Sequence, residues 1–182
     1  TETSGLTLTT RVKGANPRHV KKALVSRQIK GNSSARRVAK IIAVETAARS
    51  YAEGIKLSIV PTRRVPPQCV ETRAKVTSKL NQILAELEAD AMNTLSLMLD
   101  IYGNVAENSI ANFFIVKEGV LWTPPAQNVL EGITRKVVFE LSSRLKIPLE
   151  ERFFTLYDLA QCEEFFLTSS VSCVTPVREV HG

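Results

Sequence analysis

The sequence predicts a mixed α/β fold, because segments with strand patterns and segments with helix patterns both occur along the chain. Residues 6–12, "LTLTTRV", and the alternating stretch that follows Gly54, "IKLSIV", are typical of strands. After Lys75 the apolar residues recur at helical spacing, and a second helix is predicted after Gly132. Strands and helices in one core of this size indicate an α/β domain.

Composition narrows the class of protein. The chain has 182 residues, enough for a substantial core, and its apolar fraction of 44% is ordinary for a globular protein. No apolar run approaches the roughly 18 residues of a membrane span, and the first residues lack a signal-peptide pattern. Three cysteines and two histidines without ligand spacing predict no metal site and no disulfide framework, so a cytoplasmic location is expected.

Charge is unevenly distributed along the chain. Residues 1–75 hold 16 Lys/Arg against 4 Asp/Glu, whereas residues 76–182 hold 8 against 14. A basic half can indicate nucleic-acid binding. That half has only Tyr51 as an aromatic platform for stacking bases, so the sequence does not favour nucleic acid as a partner. An anionic ligand or an acidic surface suits the charge equally well.

The individual elements are predicted in order. Ser78 is expected to cap a helix that carries Leu80, Ile83, Leu84, Leu87 and Ala91 on one face. Strands around turns at Gly103 and Gly119 follow, since both glycines interrupt apolar runs. The helix after Gly132 is expected to present an apolar face to the core, and two final strands flank a Ser-rich turn at 168–172. The residues predicted for that helix face are Val137, Val138, Leu141 and Leu145.

Four features could carry chemistry, each with an ordinary alternative. Gly132, Ile133 and Thr134 open a helix without a usual capping residue, which would favour an anion such as phosphate, or would be a plain loop-to-helix junction. Lys75 could form a Schiff base or be a solvated surface lysine. Glu107 could be a functional carboxylate or a polar turn residue. The hydroxyl groups of residues 168–172 could bind phosphate or belong to a simple turn.

The order and surroundings of these features resemble one family. The stretches "RAKVTSKLNQILAELEA", "GNVAENSIANFF", "VLEGITRKVVFEL" and "FFLTSSVSCVTPV" occur in the order found in the class IV pyridoxal-phosphate-dependent aminotransferases. The resemblance covers about residues 55–180. It implies the fold type IV large, cofactor-binding domain, preceded by part of the small N-terminal domain.

This resemblance implies roles for the reactive residues. Lys75 falls where the family has the lysine that carries pyridoxal 5'-phosphate as a Schiff base. Glu107 corresponds to the carboxylate that pairs with the protonated ring nitrogen and keeps the ring an effective electron sink. Asn112 belongs to the same motif and is expected to support that strand.

The same resemblance implies which residues bind the two anionic groups. Ser170 stands where many relatives have a phosphate-binding threonine, and the turn after it gives backbone N–H groups to the substrate carboxylate. The phosphate site would therefore comprise Gly132, Ile133, Thr134 and Ser170, and the substrate site Val171 and Ser172.

The chain also departs from the family. Many relatives have an aromatic residue four or five positions after the lysine, where this chain has Lys79 and Leu80. Relatives also have a longer N-terminal domain, which includes a phosphate-gripping arginine, and further elements after the last strand. The chain is therefore expected to be partial at both ends, with a partial small domain at 1–64, a linker at 65–72 and a truncated large domain at 73–182.

The resemblance implies a homodimeric aminotransferase of the branched-chain type that exchanges an amino group with 2-oxoglutarate. Two alternatives remain open at this point. The chain could be another class IV enzyme, an aminodeoxychorismate-type lyase or an amine transaminase. It could also be a non-catalytic relative that acts as a binding module.

Overall fold

A computed structural model describes residues 7–9 and 50–182, which form one mixed sheet with helices packed against it. The strand order is β3-β2-β8-β7-β4-β5-β6, and β1 pairs with β8 beside this path. The strands are β1 (Thr7–Thr9), β2 (Ile55–Ile59), β3 (Leu95–Leu97), β4 (Asn112–Lys117), β5 (Val120–Thr123), β6 (Leu149–Glu151), β7 (Glu164–Ser169) and β8 (Cys173–His181).

The sheet combines two kinds of pairing. Strand β2 runs parallel to both β3 and β8, whereas β5–β4–β7–β8 is an antiparallel series with β6 added parallel to β5. Mixed pairing with helices confirms the predicted α/β class. Strand β2 shares its sheet with strands that follow the predicted 65–72 linker, so in the described residues no sheet boundary separates 1–64 from 73–182. The division into domains stays a prediction.

Strand β4 lies at the centre of the core, because both of its faces are covered. On one face Phe113 stacks on Phe165 of β7, with ring centroids 6.3 Å apart. On the other face Phe114 stacks on Phe166 at 5.0 Å and meets the edge of Phe139. Aromatic pairs of this kind add about 0.5–1.5 kcal/mol beyond their buried area. The strand is therefore a rigid base for the residues at its ends.

The first helix, α1 (Leu80–Asp90), packs with the face opposite to the one expected. Its buried residues are the small Ala85 and Ala89, while the large apolar side chains are exposed. Its N-terminal residue is capped by no side chain, so the predicted Ser78 cap is wrong. Glu86 and Glu88 explain the orientation, since hydrogen bonds to the body of the protein hold the acidic face inward. The exposed apolar residues are Leu80, Ile83, Leu84 and Leu87.

The second helix, α2 (Ile133–Leu145), begins at the predicted residue but buries a narrower face than predicted. Of the four residues expected in the core only Val138 is buried; Val137 is half-buried, and Leu141 and Leu145 are exposed. Arg135 takes part of the core position, because its guanidinium packs on Phe139 and binds Glu151. A charged residue with a long apolar stem thus replaces an expected aliphatic contact.

The turns predicted at Gly103 and Gly119 are confirmed, with φ of +87° and +73°. A short helix, α3 (Leu156–Ala160), precedes β7 and begins with a capping box of Thr155 and Asp158. Of the predicted strand at 6–12, only β1 lies within the described residues. None of the helices in the described ranges is both long enough and apolar enough to cross a membrane.

Candidate active site

A cavity of about 810 Å³ lies between the loop before α1, the segment that joins β3 to β4, the start of α2 and the β7–β8 turn. This volume is within the range of small-molecule and cofactor sites. The structure brings almost all of the predicted site residues to this cavity, although they come from four separate parts of the sequence. Those that line it are Lys75, Glu107, Gly132, Ile133, Thr134, Ser170 and Val171; Ser172 is not among the lining residues.

Lys75 lies in an irregular, exposed loop. Just before it, the Thr72 hydroxyl donates a hydrogen bond to the Gln127 carbonyl at 2.7 Å, which fixes the loop against the body of the protein. Within the described part of the chain, the Lys75 amine has no ion-pair or hydrogen-bond partner. The amine is therefore free to react with a carbonyl group in the cavity.

Glu107 is buried at the end of the segment that leads into β4, and its carboxylate accepts three hydrogen bonds. Oε1 accepts from Arg64 Nε at 2.8 Å, while Oε2 accepts from Asn112 Nδ2 and from the Leu130 N–H, each at 3.1 Å. Its backbone carbonyl also accepts from the Met98 N–H at 3.0 Å. Both the carboxylate and its backbone are thus held in place.

Burial controls the charge of this carboxyl group. Burial raises the pKa of Glu107 to about 7, against the influence of Arg64, the Leu130 N–H and Arg135, which all lower it. A carboxyl with this pKa changes its charge readily in response to a charged ligand near neutral pH. Such groups are frequent at functional sites.

The start of α2 lines the cavity, and its first backbone N–H groups have no hydrogen-bond partner among the described residues. Gly132 is the N-cap, no side chain caps the helix, and its first turn has no acidic residue. The Thr134 hydroxyl donates to the Ser169 carbonyl at 2.9 Å, which ties the helix start to the end of β7. The free N–H groups and the positive end of the helix dipole favour an anion at this position.

Gly132 is required for a close approach to Asn112. A Cβ atom at position 132 would lie 2.3 Å from Asn112 Oδ1, far inside van der Waals contact. Its φ of −65° is accessible to any residue, so space and not backbone freedom demands glycine. Asn112 cannot move aside freely, because Nδ2 donates to both Glu107 and the Leu130 carbonyl. Asn112 thereby links the buried carboxylate to the helix start.

We expect Gly132→Ala to destabilise the protein by about 1–3 kcal/mol, as overpacking a fixed site does. The new methyl group would displace Asn112 and break its bond to Glu107. Urea unfolding measures the loss, and Asn112→Ala provides the reference. If Gly132→Ala lowers the free energy of unfolding as much in the Asn112→Ala variant as in the wild type, the predicted clash with Asn112 is incorrect.

The Ser-rich turn differs from the expectation in one respect. The N–H groups of Val171 and Ser172, predicted to bind a substrate carboxylate, both donate to Ser169 Oγ, at 3.3 and 3.0 Å. The Ser169 hydroxyl also lies 2.9 Å from that of Ser172. Substrate binding by these amides would have to replace the Ser169 contacts, and their role stays a prediction. Ser170 is exposed at the cavity edge.

Arg64 and Lys79 are two of the cavity residues that the sequence did not indicate as part of the site. Arg64 is buried against Glu107, and Lys79 lines the wall at the start of α1. In "PTRRVPP" nothing distinguishes Arg64 from the adjacent Arg63, so only the fold identifies the residue that reaches the carboxylate. Lys79 was noted only as a departure from an expected aromatic residue.

Comparison with known proteins adds independent information. The family described as amino-transferase class IV matches residues 4–180. A branched-chain aminotransferase structure from Thermoproteus uzoniensis, with norvaline, shares 39% identity at a TM-score of 0.68, covering 70% of this chain and 44% of that one. The T.th. branched-chain aminotransferase complexed with N-(5'-phosphopyridoxyl)-L-glutamate shares 34% identity at a TM-score of 0.66, covering 68% and 42%.

A relative with a different activity has a comparable percentage identity over a shorter stretch. The D-alanine aminotransferase of Listeria monocytogenes is 38% identical over 109 residues, which are 59% of this chain and 38% of that protein. The chain spans about half of the length of the curated relatives that it matches over the longest stretch.

Proposed function

Since the chain belongs to the class IV aminotransferases, we propose that it acts in the transfer of an amino group from an amino acid to a 2-oxo acid, with pyridoxal 5'-phosphate as cofactor. The branched-chain amino acids are the proposed donors and 2-oxoglutarate the proposed acceptor. One observation carries the proposal. A free amine, a buried carboxylate and an uncapped helix start, at Lys75, Glu107 and Ile133, face one cavity.

The residues of the cavity fit this cofactor at three points. The Lys75 amine is free to bond covalently to an aldehyde. The open helix start at Ile133 and Thr134, with the Ser170 hydroxyl, offers N–H and O–H donors to a phosphate. Glu107 offers a carboxylate to a protonated ring nitrogen. Gly132 has no Cβ that would displace Asn112, so Asn112 can link Glu107 to the start of α2.

Each residue has a distinct part in the proposed reaction. The bound cofactor supplies an electron sink for the electrons of the substrate α-carbon. Lys75 would hold the cofactor, and its amine would move the proton at the substrate α-carbon as general base and then acid. Glu107 keeps the ring nitrogen protonated. The donors at Thr134 and Ser170 hold the phosphate and so fix the orientation of the ring.

The proposal is tested by adding pyridoxal phosphate to the purified protein. We expect a visible absorbance band and, after borohydride reduction, a stable mass increase that peptide mapping places on Lys75. Transfer from L-leucine to 2-oxoglutarate should follow in a coupled assay. A protein that binds no cofactor, or that is labelled at random surface lysines, would favour the non-catalytic alternative.

Thr134→Ala is expected to weaken the binding of the cofactor phosphate about tenfold to a hundredfold, because a hydrogen bond to a charged group contributes about 1.5–3 kcal/mol. To make that bond, the Thr134 hydroxyl would exchange the Ser169 carbonyl for the phosphate. Titration of the absorbance band measures the dissociation constant. Thr134→Ser keeps the hydroxyl and is the matched control. Equal affinity in the alanine and serine variants would show that the hydroxyl serves only its bond to Ser169. Ser170→Ala should behave like Thr134→Ala.

The substrate could be an L- or a D-amino acid, since the identity to a D-alanine aminotransferase, 38%, is close to that to a branched-chain enzyme, 39%, although the match covers less of the chain. We infer a branched-chain L-amino acid because the structural neighbours named above are branched-chain enzymes. Comparing kcat/KM for L-leucine and D-alanine decides between them. A preference for D-alanine would overturn the branched-chain assignment while leaving the cofactor assignment intact.

We further propose that the protein is a homodimer in the cytoplasm. The exposed apolar residues of α1, among them Leu80 and Leu87, support an assembly that covers them, because large exposed apolar patches are uncommon on monomers. Solution mass by light scattering tests the assembly.

A further inference from the structure

Arg64 is the residue that determines how Glu107 can interact with a ligand. It follows β2 and is held by its backbone, whose N–H donates to the Leu99 carbonyl at 2.9 Å. Its side chain is 10% exposed, and that of its partner Glu107 7%. The 2.8 Å contact therefore joins two charged groups that are both shielded from water. Removing one partner of such a pair leaves an uncompensated buried charge.

The three partners of the Glu107 carboxylate are all hydrogen-bond donors. Leu130 contributes a backbone N–H and Arg64 a guanidinium N–H, neither of which can accept. The Asn112 amide is fixed with its nitrogen inward, since Nδ2 also donates to the Leu130 carbonyl at 2.7 Å. A proton on Oε2, or on the side of Oε1 that faces Arg64, would place the O–H against a donor. These three contacts therefore favour the ionised form, whereas burial opposes it.

Within the part of the chain that the structure describes, these partners leave one acceptor position of the carboxylate free. A carboxylate has about four acceptor positions. Two on Oε2 are used by Asn112 and Leu130, and one on Oε1 is used by Arg64. The remaining position is on the oxygen that Arg64 holds, and both residues line the cavity. The direction in which Glu107 can accept from a ligand is therefore set by Arg64.

We propose that Arg64 is a positioning residue for this site, which favours the ionised form of Glu107 and leaves it, within the described residues, a single acceptor position, on Oε1, for a cationic ring nitrogen. The role as a partner of a ring nitrogen rests on the proposed function; the effect of Arg64 on Glu107 does not. The charged groups that act on Glu107 are Arg64, after β2, and Arg135, on α2. Arg135 is neutralised by Glu151, so Arg64 is the main compensating charge.

The first test uses the cofactor-free protein. Infrared difference spectra against pH, with Glu107→Gln as the blank, follow the carboxyl band of Glu107 alone. In the wild type we expect half-titration near the pKa of about 7. In Arg64→Met we expect the midpoint to move up by about one pH unit or more, because an adjacent arginine lowers a carboxyl pKa by at least that amount. Arg64→Lys keeps a positive charge at this position, so its titration midpoint should lie close to that of the wild type.

Arg63→Met is the matched control. Arg63 is the adjacent arginine, its Nη1 donates to the Val60 carbonyl at 3.2 Å, and it is not among the described residues that line the cavity. Its loss should leave the Glu107 titration unchanged. If Arg64→Met does not fold, Arg64→Gln retains a donor without the charge and should show the same upward movement. An unchanged midpoint in the folded neutral variant overturns the proposal.

The second test uses the cofactor-loaded protein. In Arg64→Met the pH midpoint of the absorbance band of the bound cofactor should differ from that of the wild type. The kcat should fall by a larger factor than the affinity for the cofactor. Arg64→Lys should recover part of kcat. If the wild type binds no pyridoxal phosphate, the proposed function fails and the infrared result still decides the effect of Arg64 on Glu107. If cofactor binds normally and neither spectrum responds to Arg64, only the proposal about Arg64 fails.

Discussion

Lys75→Ala is expected to abolish both covalent attachment of pyridoxal phosphate and transamination. The Lys75 amine is free within the described residues and lies on the cavity wall, so its removal takes away the group proposed to attach the cofactor and to move the proton. Removing a general acid–base group alone lowers a rate by about 10²–10⁴. Loss of attachment should lower it further. The measurements are the visible absorbance band, borohydride trapping and turnover.

Lys79→Ala is the matched control for this prediction. Lys79 lines the same cavity four residues later, also exposed, so it tests whether position and not mere positive charge is required. Its replacement should leave trapping intact and reduce turnover far less. Because neither side chain packs in the core, both variants are expected to unfold like the wild type. Near-normal transamination by Lys75→Ala, or trapping on Lys79, would show that the assignment of the lysine is wrong.

The sequence could indicate most of the residues proposed for the site because they belong to short contiguous motifs that resemble those of one family, and the structure brings them to one cavity. Gly132 to Thr134 form the actual start of a helix, and Glu107 belongs to the segment that leads directly into β4. Local patterns determine such positions, since strand and helix boundaries depend on nearby residues. The contacts between motifs were not predictable in the same way. Arg64 and Glu107 are 43 residues apart, and they meet because β2 pairs with β3 and the Arg64 N–H donates to the Leu99 carbonyl.

The error on α1 has a different physical cause. An apolar stripe at helical spacing normally marks the buried face. Here Glu86 is hydrogen-bonded to Ser96 at 2.6 Å, and Glu88 to Thr62 at 2.7 Å, so acidic side chains and small alanines face the protein. An apolar stripe in the sequence predicts which face of a helix favours burial. It does not predict whether the described residues or another surface covers that face.

Glu107→Gln is expected to lower kcat about a hundredfold, the lower end of the loss that follows removal of a preorganised electrostatic contact. A glutamine at this position cannot be anionic. It has one acceptor oxygen where the carboxylate accepts three hydrogen bonds, so its NH₂ group must face Arg64 Nε or the pair of donors from Asn112 and Leu130. A protonated ring nitrogen would then have no partner with negative charge.

The affinity for pyridoxal phosphate should change less than about tenfold in this variant, because Lys75 and the donors at Thr134 and Ser170 are untouched. Separate measurements of kcat and of the cofactor dissociation constant therefore distinguish an electronic role from a binding role. Glu107→Asp keeps the charge on a shorter side chain and should retain more activity than the glutamine variant. A glutamine variant with unchanged kcat and weakened cofactor binding would show that Glu107 supports the site without acting on the ring nitrogen.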